Sequence, residues 1–387
     1  MNEGAYRMDL VFIINRNYID PLSVTVYSIV KASPEQHFNL YIIHDDLTEA
    51  DCQLISDRFE KYKLSFQFVY FQIENDQLNQ VDTNHLPLNV MYRLLLAQIL
   101  PINVEKVLFL DADLLITEDI SPLFNTDIGD HYVGAVVDIL DNTYQALGLN
   151  SIYDYFNAGV LLVNLKKWRE DHLSERFIEY AIENMERLRY ADQDILNAVC
   201  HKKWYKLDQK WNVISNIFEN PNFFDKHFSR EIRENLISKP GVIHFTGDIK
   251  PWSLFSNHLY TEHYIELQDE LGIKLYGDKK INIDYKIALF GTSLGATIVV
   301  EKLKQAGLQP AYYFDNDQSK WGNFISNAMI KNPADATHLC ATERLKVIIA
   351  SSYVNEIGDQ LFQLGLVKNK DYFNNLGAFE QFIRAGD

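Results

Sequence analysis

One apolar run with two carboxylates inside it most constrains what this chain can fold into. Residues 107–117 read VLFLDADLLIT, so four apolar residues precede Asp111 and three more follow Asp113. A short apolar run is typical of a buried strand, where isolated charges are costly. In an extended segment the two carboxylates point to one side while Ala112 points to the other. The pattern predicts a site for a hard divalent cation, Mg²⁺ or Mn²⁺; the alternative is an Asp-rich turn between two strands.

Segments with strand and helix patterns alternate on both sides of this run. Alternation of this kind predicts an open, mostly parallel α/β sheet whose ligands lie beyond the carboxyl ends of its strands. Asn15, Asp45 and Asp111 all follow such strand ends. The strand candidates are residues 10–14, 40–44, 65–72, 107–110, 132–138, 158–165 and 242–245, and the helix candidates are 21–32, 48–61, 91–100, 168–189 and a segment that begins at Asp192.

Polar residues at the ends of these segments indicate caps and a second charged loop. Thr48 and Asp51 are typical of a helix start, and Asp192 is predicted to cap the later helix. His244 lies in the last strand candidate, one residue before its end, and Lys250 follows after a Thr-Gly-Asp turn. An imidazole and an ammonium group are therefore expected to flank one tight loop.

Composition and charge exclude some classes of function. The chain has 387 residues, 47% of them hydrophobic, which predicts one large and one smaller domain with packed cores. A net charge of -17 argues against a protein that mainly grips nucleic acid or anionic lipid. Three scattered cysteines fit a reducing compartment. No apolar stretch is long enough to span a bilayer, so we expect a cytoplasmic protein, either free or peripheral at the inner face of the membrane.

A polar stretch at residues 271–284 predicts a boundary between a first domain, 1–275, and a second, 282–387. The second domain begins with a strand, the turn GTSLGA at 291–296, a helix and a second strand that ends at Asp315. This order resembles a dinucleotide-binding fingerprint, in which Ser293 replaces the middle glycine. The same turn fits the G-x-S-x-G nucleophile elbow, although His338 is the only later histidine. We favour a Rossmann-like fold without nucleotide, used for packing or partner contact.

The chemistry of the first domain points to a phosphorylated ligand. Asp111, Asp113 and His244 offer two oxygens and one nitrogen to a metal that would neutralise a nucleotide diphosphate. Lys250 and Arg93 could bond the same phosphates, so that a diphosphate leaving group is stabilised. Taken singly, each has another interpretation: His244 as a core histidine, Lys250 as a surface charge and Arg93 as a helix-face salt bridge.

Six segments together resemble the glycosyltransferase family 8 enzymes. They are IINRNY, MYRLLLAQILP, VLFLDADLLI, YFNAGVLLVNLKKWR, DQDILNAV and HFTGDIKPW, and they span roughly Met8 to Leu259. The resemblance implies a GT-A nucleotide-diphospho-sugar transferase fold, a UDP-hexose donor, dependence on Mn²⁺ or Mg²⁺, and transfer with retention of anomeric configuration. The later segment FDNDQSKWG is similar to an element of small Rossmann-like domains appended to bacterial sugar transferases.

The resemblance also implies roles for individual residues. Asp111, Asp113 and His244 match metal ligands, Lys250 matches a phosphate-binding lysine, and Gly247 matches a glycine that approaches the phosphates. Many relatives have Asp where this chain has Asn15, but an amide keeps an acceptor, so UDP remains the expected nucleotide. The expected donor contacts are Ile13, Asn15 and Asn17 near the uridine, Arg93, Asp111 and Ala112 near the diphosphate, and Asn157, Ala158, Asp192 and Gln193 around the sugar.

Retention raises the question of which group attacks the sugar. The amide of Gln193 is a poor nucleophile, so we favour front-face attack in which the departing diphosphate oxygen accepts the acceptor's proton. Gln193 would then stabilise positive charge at the anomeric carbon, Asp192 would anchor sugar hydroxyls, and Lys250 would hold the leaving group. These three are the expected catalytic residues.

Several alternatives stay open. The acceptor is expected to be a glycan, glycoprotein or glycolipid, chosen by loops at 140–155 and 217–230, and the hexose is glucose or galactose. A noncatalytic scaffold that binds a nucleotide sugar and partners an active transferase is the main alternative function; an oxidoreductase working through the second domain is a third. The C-terminal domain could support a homo-oligomer or bind a partner transferase.

Overall fold

The computed structural model describes residues 7–72, 88–139, 143–219, 221–247, 249–253, 255–256, 258–273 and 283–385. The chain divides into two compact units: the first runs to Phe245 and includes Glu270–Ile273, and the second holds Thr246–Asp269 together with the chain after Ile273. Most of the predicted boundary stretch falls outside the described residues, so the predicted domain limits stay a prediction. Within the described ranges, no helix is both long and apolar enough to cross a membrane.

The first unit is built on a seven-stranded sheet in the order β3-β2-β1-β4-β7-β6-β8. All neighbouring pairs are parallel except the two that β7 makes with β4 and β6. The expectation of an open, mostly parallel α/β sheet is confirmed. The strands of this unit are β1 Arg7–Ile13, β2 His37–His44, β3 Leu64–Tyr70, β4 Lys106–Leu110, β5 Leu114–Ile116, β6 Val133–Val137, β7 Phe156–Asn164, β8 Trp204–Lys206, β9 Val213–Ile214 and β10 Val242–His244.

Helices cover both faces of this sheet and create two hydrophobic cores. Along β4, Val107 and Phe109 belong to one core and Leu108 and Leu110 to the other, as the alternation of side chains in a strand requires. The α-helices are Ile19–Ala32, Glu49–Arg58, Leu96–Ile99, Ser121–Phe124, Thr143–Ala146, Leu165–Glu170, Leu173–Asn184, Ala191–Val199, Ser215–Glu219, Pro221–Phe224 and Arg230–Ser238, and the 3₁₀ segments are Arg16–Tyr18, Leu88–Leu95, Ile152–Asp154, Met185–Arg187 and Gln209–Asn212.

Two predicted helices differ from the structure. The candidate at 91–100 is mostly a 3₁₀ segment, Leu88–Leu95, followed by a single α-helical turn. The candidate at 168–189 is broken between Leu165–Glu170 and Leu173–Asn184, where His172 has a φ of 52°. A left-handed residue cannot continue a right-handed helix, so one helix ends before His172 and a second begins after it.

A small second sheet, β5-β10-β9, connects distant parts of the first unit. β10 runs antiparallel to β5 with His244 opposite Leu114, and parallel to β9 with His244 opposite Ile214. Because Leu114 directly follows Asp113, this pairing carries His244 to the two carboxylates from more than a hundred residues away in sequence.

The second unit contains a six-stranded sheet in the order β13-β14-β12-β11-β15-β16, parallel except between β13 and β14. Phe255 is fully buried in this unit's core, where its ring stacks on that of Phe379. The strands are β11 Lys286–Phe290, β12 Tyr312–Phe314, β13 Phe324–Ile325, β14 Ala328–Lys331, β15 Leu345–Ile349 and β16 Tyr372–Phe373; the helices are Thr261–Glu270, Leu294–Gln305, Ala336–Glu343, Val354–Gln363 and Leu376–Ala385, with 3₁₀ segments Gln318–Lys320 and Pro333–Asp335.

Candidate active site

Asp111, Asp113 and His244 come together at the carboxyl end of β4. One ligand atom from each lies within 4.8 Å of the others. His244 Nε2 is 3.6 Å from Asp111 Oδ2 and 3.4 Å from Asp113 Oδ1. Two ligands bound at about 2 Å to one cation must themselves lie within about 4 Å of each other, so these separations suit a shared ion. Two carboxylates and one imidazole form a donor set that fits a divalent metal.

The helix Ile19–Ala32 forms hydrogen bonds with the backbone of the loop that carries the two carboxylates. The fully buried hydroxyl of Thr25 lies 2.9 Å from the carbonyl oxygens of Ala112 and Leu114 and accepts a hydrogen bond from the Leu114 N–H. Ala112 is itself buried in the core. This places its side chain away from the metal site, as the sequence analysis expected. The contribution of Thr25 could not be seen in sequence, because 87 residues separate it from Ala112.

Gly159 lies where β7 passes beside Asp111, and its N-terminal position in an antiparallel strand brings it to the same edge of the sheet. The Asp111 N–H donates to the Gly159 carbonyl at 2.9 Å. A Cβ atom at position 159 would lie 2.2 Å from His244 Cε1 and 2.8 Å from Asp111 Oδ2. Only glycine leaves room for this approach. A glycine inside the apolar strand FNAGVLLVN was the available signal, since such a glycine often marks a close contact.

Arg93 joins the metal cluster to the predicted sugar pocket. Its Nη2 lies 2.6 Å from Asp111 Oδ1 and its Nη1 lies 2.8 Å from Asp192 Oδ2. The guanidinium also lies 4.2 Å above the centre of the Phe109 ring. The side chain points inward and is 12% exposed, so it is not the exposed salt bridge that the sequence left as an alternative.

Asp192 is buried in the first turn of the helix Ala191–Val199. Burial raises the pKa of Asp192 to about 6, although the charge of Arg93 opposes this shift. The prediction that Asp192 caps the helix is wrong, because the N-cap is Tyr190. Instead, the carboxylate of Asp194 accepts two backbone N–H groups just before the helix, at 2.6 and 2.8 Å. Asp192 instead faces Arg93.

Gln193 is held in one orientation by three hydrogen bonds. Its Oε1 accepts from the Ala158 N–H at 3.0 Å, and its Nε2 donates to Asp138 Oδ2 at 3.2 Å and to the Tyr155 hydroxyl at 3.1 Å. Burial raises the pKa values of both Asp138 and Tyr155. No role was expected for Asp138 from the sequence, and Tyr155 was expected only as part of the acceptor loop at 140–155. Asp138 directly follows β6, which was the signal that could have found it.

The residues expected near the uridine lie at the end of β1, the parallel neighbour of β4. Ile13 is half-buried, and Asn17 is exposed in the turn that follows. The side-chain oxygen of Asn15 accepts the Asn17 N–H at 3.0 Å, so Asn15 stabilises the turn. The same edge of the sheet therefore carries the expected uridine contacts and the metal cluster.

Gly247 and Lys250 follow β10 but belong to the second compact unit. Gly247 has a φ of 89°, in the left-handed region that favours glycine. Their assignment to the diphosphate stays a prediction. Asn157 and Ala158, expected around the sugar, lie within β7 next to Gly159.

The fingerprint turn of the second unit borders a cavity of about 510 Å³. Gly291 has a φ of 116°, and a Cβ there would lie 2.7 Å from the Ala350 carbonyl oxygen. The carboxylate of Asp315, which a dinucleotide fingerprint would use for a ribose, accepts from the Thr292 hydroxyl and from Lys320 Nζ. This engagement favours the interpretation without nucleotide, which stays a prediction.

Residues 9–255 match the sequence profile of glycosyl transferase family 8. The chain belongs to this family. Within it, the chain is 26% identical over 263 residues to lipopolysaccharide 1,2-glucosyltransferase of Escherichia coli, a match that covers 65% of this chain and 75% of that protein. The protein is a glycosyltransferase.

Solved structures extend the comparison. Galactosyltransferase LgtC, solved with donor and acceptor sugar analogues, is 26% identical with a TM-score of 0.60, and the match covers 68% of this chain and 96% of that one. The mixed α/β architecture is thus the GT-A fold. GlyE of Streptococcus pneumoniae TIGR4, at 18% identity and a TM-score of 0.53, matches in fold over 96% of this chain and 93% of its own. GT-A transferases generally use a divalent metal, and the Asp-Asp-His cluster offers a site for one.

Proposed function

We propose that this family 8 enzyme transfers glucose or galactose from UDP to a hydroxyl of a glycan, glycoprotein or glycolipid, with retention of configuration and with Mn²⁺ held by Asp111, Asp113 and His244. The observation that carries the proposal is the convergence of these three ligand atoms within 4.8 Å. Relatives named as a glucosyltransferase and a galactosyltransferase support a hexose donor.

The residues around the cluster suggest how the donor is activated. A bound divalent metal would supply Lewis-acid stabilisation of the diphosphate that leaves. Arg93 already forms ion pairs with Asp111 and Asp192, so it lies between the expected metal ligands and the residues expected at the sugar. Its guanidinium is always charged and can bond phosphate oxygens as a fork. We assign Lys250 to the same phosphates on the resemblance of its motif.

Front-face transfer is consistent with the state of Gln193. One lone pair of its amide oxygen is engaged by the Ala158 N–H, which further weakens an already poor nucleophile. In the proposed step the bond from the anomeric carbon to UDP breaks, the acceptor oxygen bonds that carbon, and its proton passes to the departing diphosphate oxygen. Gln193 stabilises the positive charge, and Asp192 binds sugar hydroxyls.

The acceptor loops proposed from the sequence meet in their described parts. The Tyr153 hydroxyl donates to the His227 carbonyl at 3.0 Å, and the Tyr153 ring packs edge-on against Phe228. Tyr153 is partly exposed. This contact supports a shared rim formed by both loops, and exposed aromatic rings suit sugar faces.

The direct test is incubation with UDP-glucose or UDP-galactose and Mn²⁺, with release of UDP and the mass of the product as readouts. Loss of a residue that only supports a metal ligand lowers activity by up to about 100-fold. Because Asp113 is itself an expected ligand, we expect Asp113→Asn to lower turnover by more than about 100-fold. Asp359→Asn, an exposed carboxylate of the second unit, is the matched control and should behave as wild type. UDP-sugar binding without transfer to any acceptor or to water would favour the scaffold alternative and overturn the proposal.

A further inference from the structure

We propose that Asn212 is a positioning residue that fixes the tautomer of His244 through a buried chain of amides, so that the imidazole presents its Nε2 lone pair to the cation. The inference rests on the metal site of the proposed function. It adds a residue that lies outside the metal cluster and that no sequence motif identified.

The chain of hydrogen bonds runs from the backbone of β7 to the imidazole. The Gly159 N–H donates to Asn157 Oδ1 at 2.9 Å. Asn212 Nδ2 lies 2.8 Å from the same oxygen. Asn212 Oδ1 lies 3.0 Å from His244 Nδ1. A branch leads from Asn157 Nδ2 to Asp138 Oδ2 at 3.0 Å, where Gln193 also donates.

The direction of every bond in this chain follows from one backbone group. A backbone N–H can only donate, so the Asn157 atom that faces Gly159 must be the oxygen. The Asn212 atom that faces this oxygen must then be the amide nitrogen, which turns Asn212 Oδ1 toward His244. An amide oxygen only accepts, so His244 Nδ1 must carry a proton. In the neutral ring, the lone pair is therefore on Nε2.

Tertiary packing gives this chain little freedom to rearrange. Asn212 is completely buried and Asn157 is 6% exposed. Asn212 directly precedes β9, and β9 pairs in parallel with β10, which places the amide beside His244. Buried amides that lose a partner leave a costly unsatisfied group, so the observed pattern is strongly preferred.

The tautomer decides whether His244 can act as a ligand. Only the ring with its proton on Nδ1 offers Nε2, the atom 3.4–3.6 Å from the two carboxylates, to a cation. In a histidine that binds a metal, the other ring nitrogen usually has a hydrogen-bond partner. Removing that partner typically lowers metal affinity by about 10–100-fold. The branch through Asn157 further joins the metal ligand to Asp138 and Gln193, so this chain connects the metal site to the proposed sugar pocket.

The test compares two substitutions of similar size in the full chain. Asn212→Leu removes the acceptor for His244, and we expect Mn²⁺ affinity, measured by calorimetry and by the electron paramagnetic resonance of free Mn²⁺, to fall about 10–100-fold. Asn212→Asp keeps an oxygen for the Nδ1 proton but cannot donate to Asn157. It should therefore retain tight Mn²⁺ binding and lose UDP-sugar affinity. A purely structural role for Asn212 predicts equal loss of Mn²⁺ binding in both variants and would overturn the proposal.

A matched control separates stability from metal binding. Asn197 is also fully buried and bonds the backbone of Phe156 and of Gln193, whereas the described partner of His244 Nδ1 is Asn212. Asn197→Leu should lower the free energy of unfolding by a similar amount while Mn²⁺ affinity stays unchanged.

A second measurement needs no variant of Asn212. In the metal-free wild type with ¹⁵N-labelled histidine, the ring signal that disappears in His244→Gln should show a protonated Nδ1 and an unprotonated Nε2 above the pKa of the ring. The opposite tautomer would refute the proposal even if the Asn212 variants did not fold. Wild-type protein that binds no Mn²⁺ would instead refute the proposed metal site, and thus the two failures are distinguishable.

Discussion

Gly159 shows how one missing side chain leaves room for the proposed metal site. A methyl group at this position would lie 2.2 Å from His244 Cε1 and 2.8 Å from Asp111 Oδ2, inside contact distance of both ligands. We expect Gly159→Ala to displace the imidazole and lower Mn²⁺ affinity by at least about 10-fold, comparable to disturbance of a ligand's supporting shell. Calorimetric titration with Mn²⁺ measures this directly.

The control for that substitution is Gly358→Ala, in the helix Val354–Gln363. Its nearest neighbour to an added Cβ is 3.8 Å away, which is ordinary van der Waals contact. Alanine is favoured over glycine in a helix by up to about 1 kcal/mol, so this variant should be as stable as wild type or more so. Unchanged Mn²⁺ affinity in Gly159→Ala would show that the backbone can move to absorb the methyl group.

His258 predicts a loss of stability in acid. Burial, reinforced by the charge of Lys302, lowers the pKa of His258 from 6.5 to about 4, and its Nδ1 accepts the Tyr260 N–H. The unfolded chain therefore binds a proton between pH 6.5 and 4 that the folded chain does not. Stability contributed by neutral His258 is fully present above pH 6.5 and falls by up to about 3 kcal/mol as the pH drops to 4.

His258→Asn should flatten this acid dependence, because an amide oxygen can still accept the Tyr260 N–H and does not titrate. The measurement is the free energy of urea unfolding at pH 4, 5.5 and 7. His263→Asn is the matched control, since His263 is half exposed on the helix Thr261–Glu270. Equal slopes in wild type and His258→Asn would contradict the prediction.

At the scale of elements, the capping box at Thr48 is a prediction from sequence that the structure confirms. The Asp51 N–H donates to the Thr48 hydroxyl oxygen, and Asp51 Oδ2 accepts from the Thr48 N–H at 2.9 Å. The Thr48 hydroxyl also donates to Asp51 Oδ2, and this bond, followed by that of the Thr48 N–H, lowers the pKa of Asp51. The signal was readable because both partners are local and three residues apart.

Thr48→Ala should cost about 1 kcal/mol in the free energy of unfolding, as the loss of an N-cap does. Thr342→Ala is the comparison, because the Thr342 hydroxyl donates to the His338 carbonyl within an exposed helix turn. Such a bond adds little, so that variant should change stability by less than about 0.5 kcal/mol. Urea unfolding at pH 7 checks both values.

Strands were predicted more faithfully than helices for a physical reason. Burial on both faces gives β4 and β7 continuous apolar runs, which stand out in any sequence. The break at His172 and the 3₁₀ segment Leu88–Leu95 leave no comparable mark, because tertiary contacts select these backbone conformations over an uninterrupted α-helix.

At the scale of the whole molecule, the segment after His244 determines how the chain can be divided. Residues Thr246–Asp269 pack with the second unit, and Phe255 is fully buried there against Phe379. The hydroxyl of Ser253 also donates to Glu380 in this unit. A fragment that ends at the sequence boundary, residue 275, would remove the partners of this segment.

We therefore expect the fragment 1–275 to bind a hydrophobic dye and to aggregate, because the Phe255 region would be exposed to water. The full chain cut by a protease at a site inserted between residues 276 and 280 is the control. Its two pieces should stay together in gel filtration. A monomeric fragment 1–275 with the dye binding of the intact chain would contradict this expectation.

The sequence by itself determined the fold class and the family, and it predicted the three side chains that the structure brings together as a candidate metal site. Local sequence patterns indicate these properties. They are an apolar run interrupted by Asp111 and Asp113, alternating strand and helix patterns, and motifs in a characteristic order. Periodicity and short motifs reflect interactions within a few residues, which is why they survive without knowledge of the fold.

Only the tertiary structure decided which groups surround that cluster. Thr25, Gly159 and Asn212 acquire their places because β5 pairs with β10 and β7 runs antiparallel beside β4. Asp192 was expected to be a cap, yet its carboxylate faces Arg93. Side chains that meet through strand pairing are distant in sequence, and their hydrogen bonds depend on burial and direction that no local pattern records.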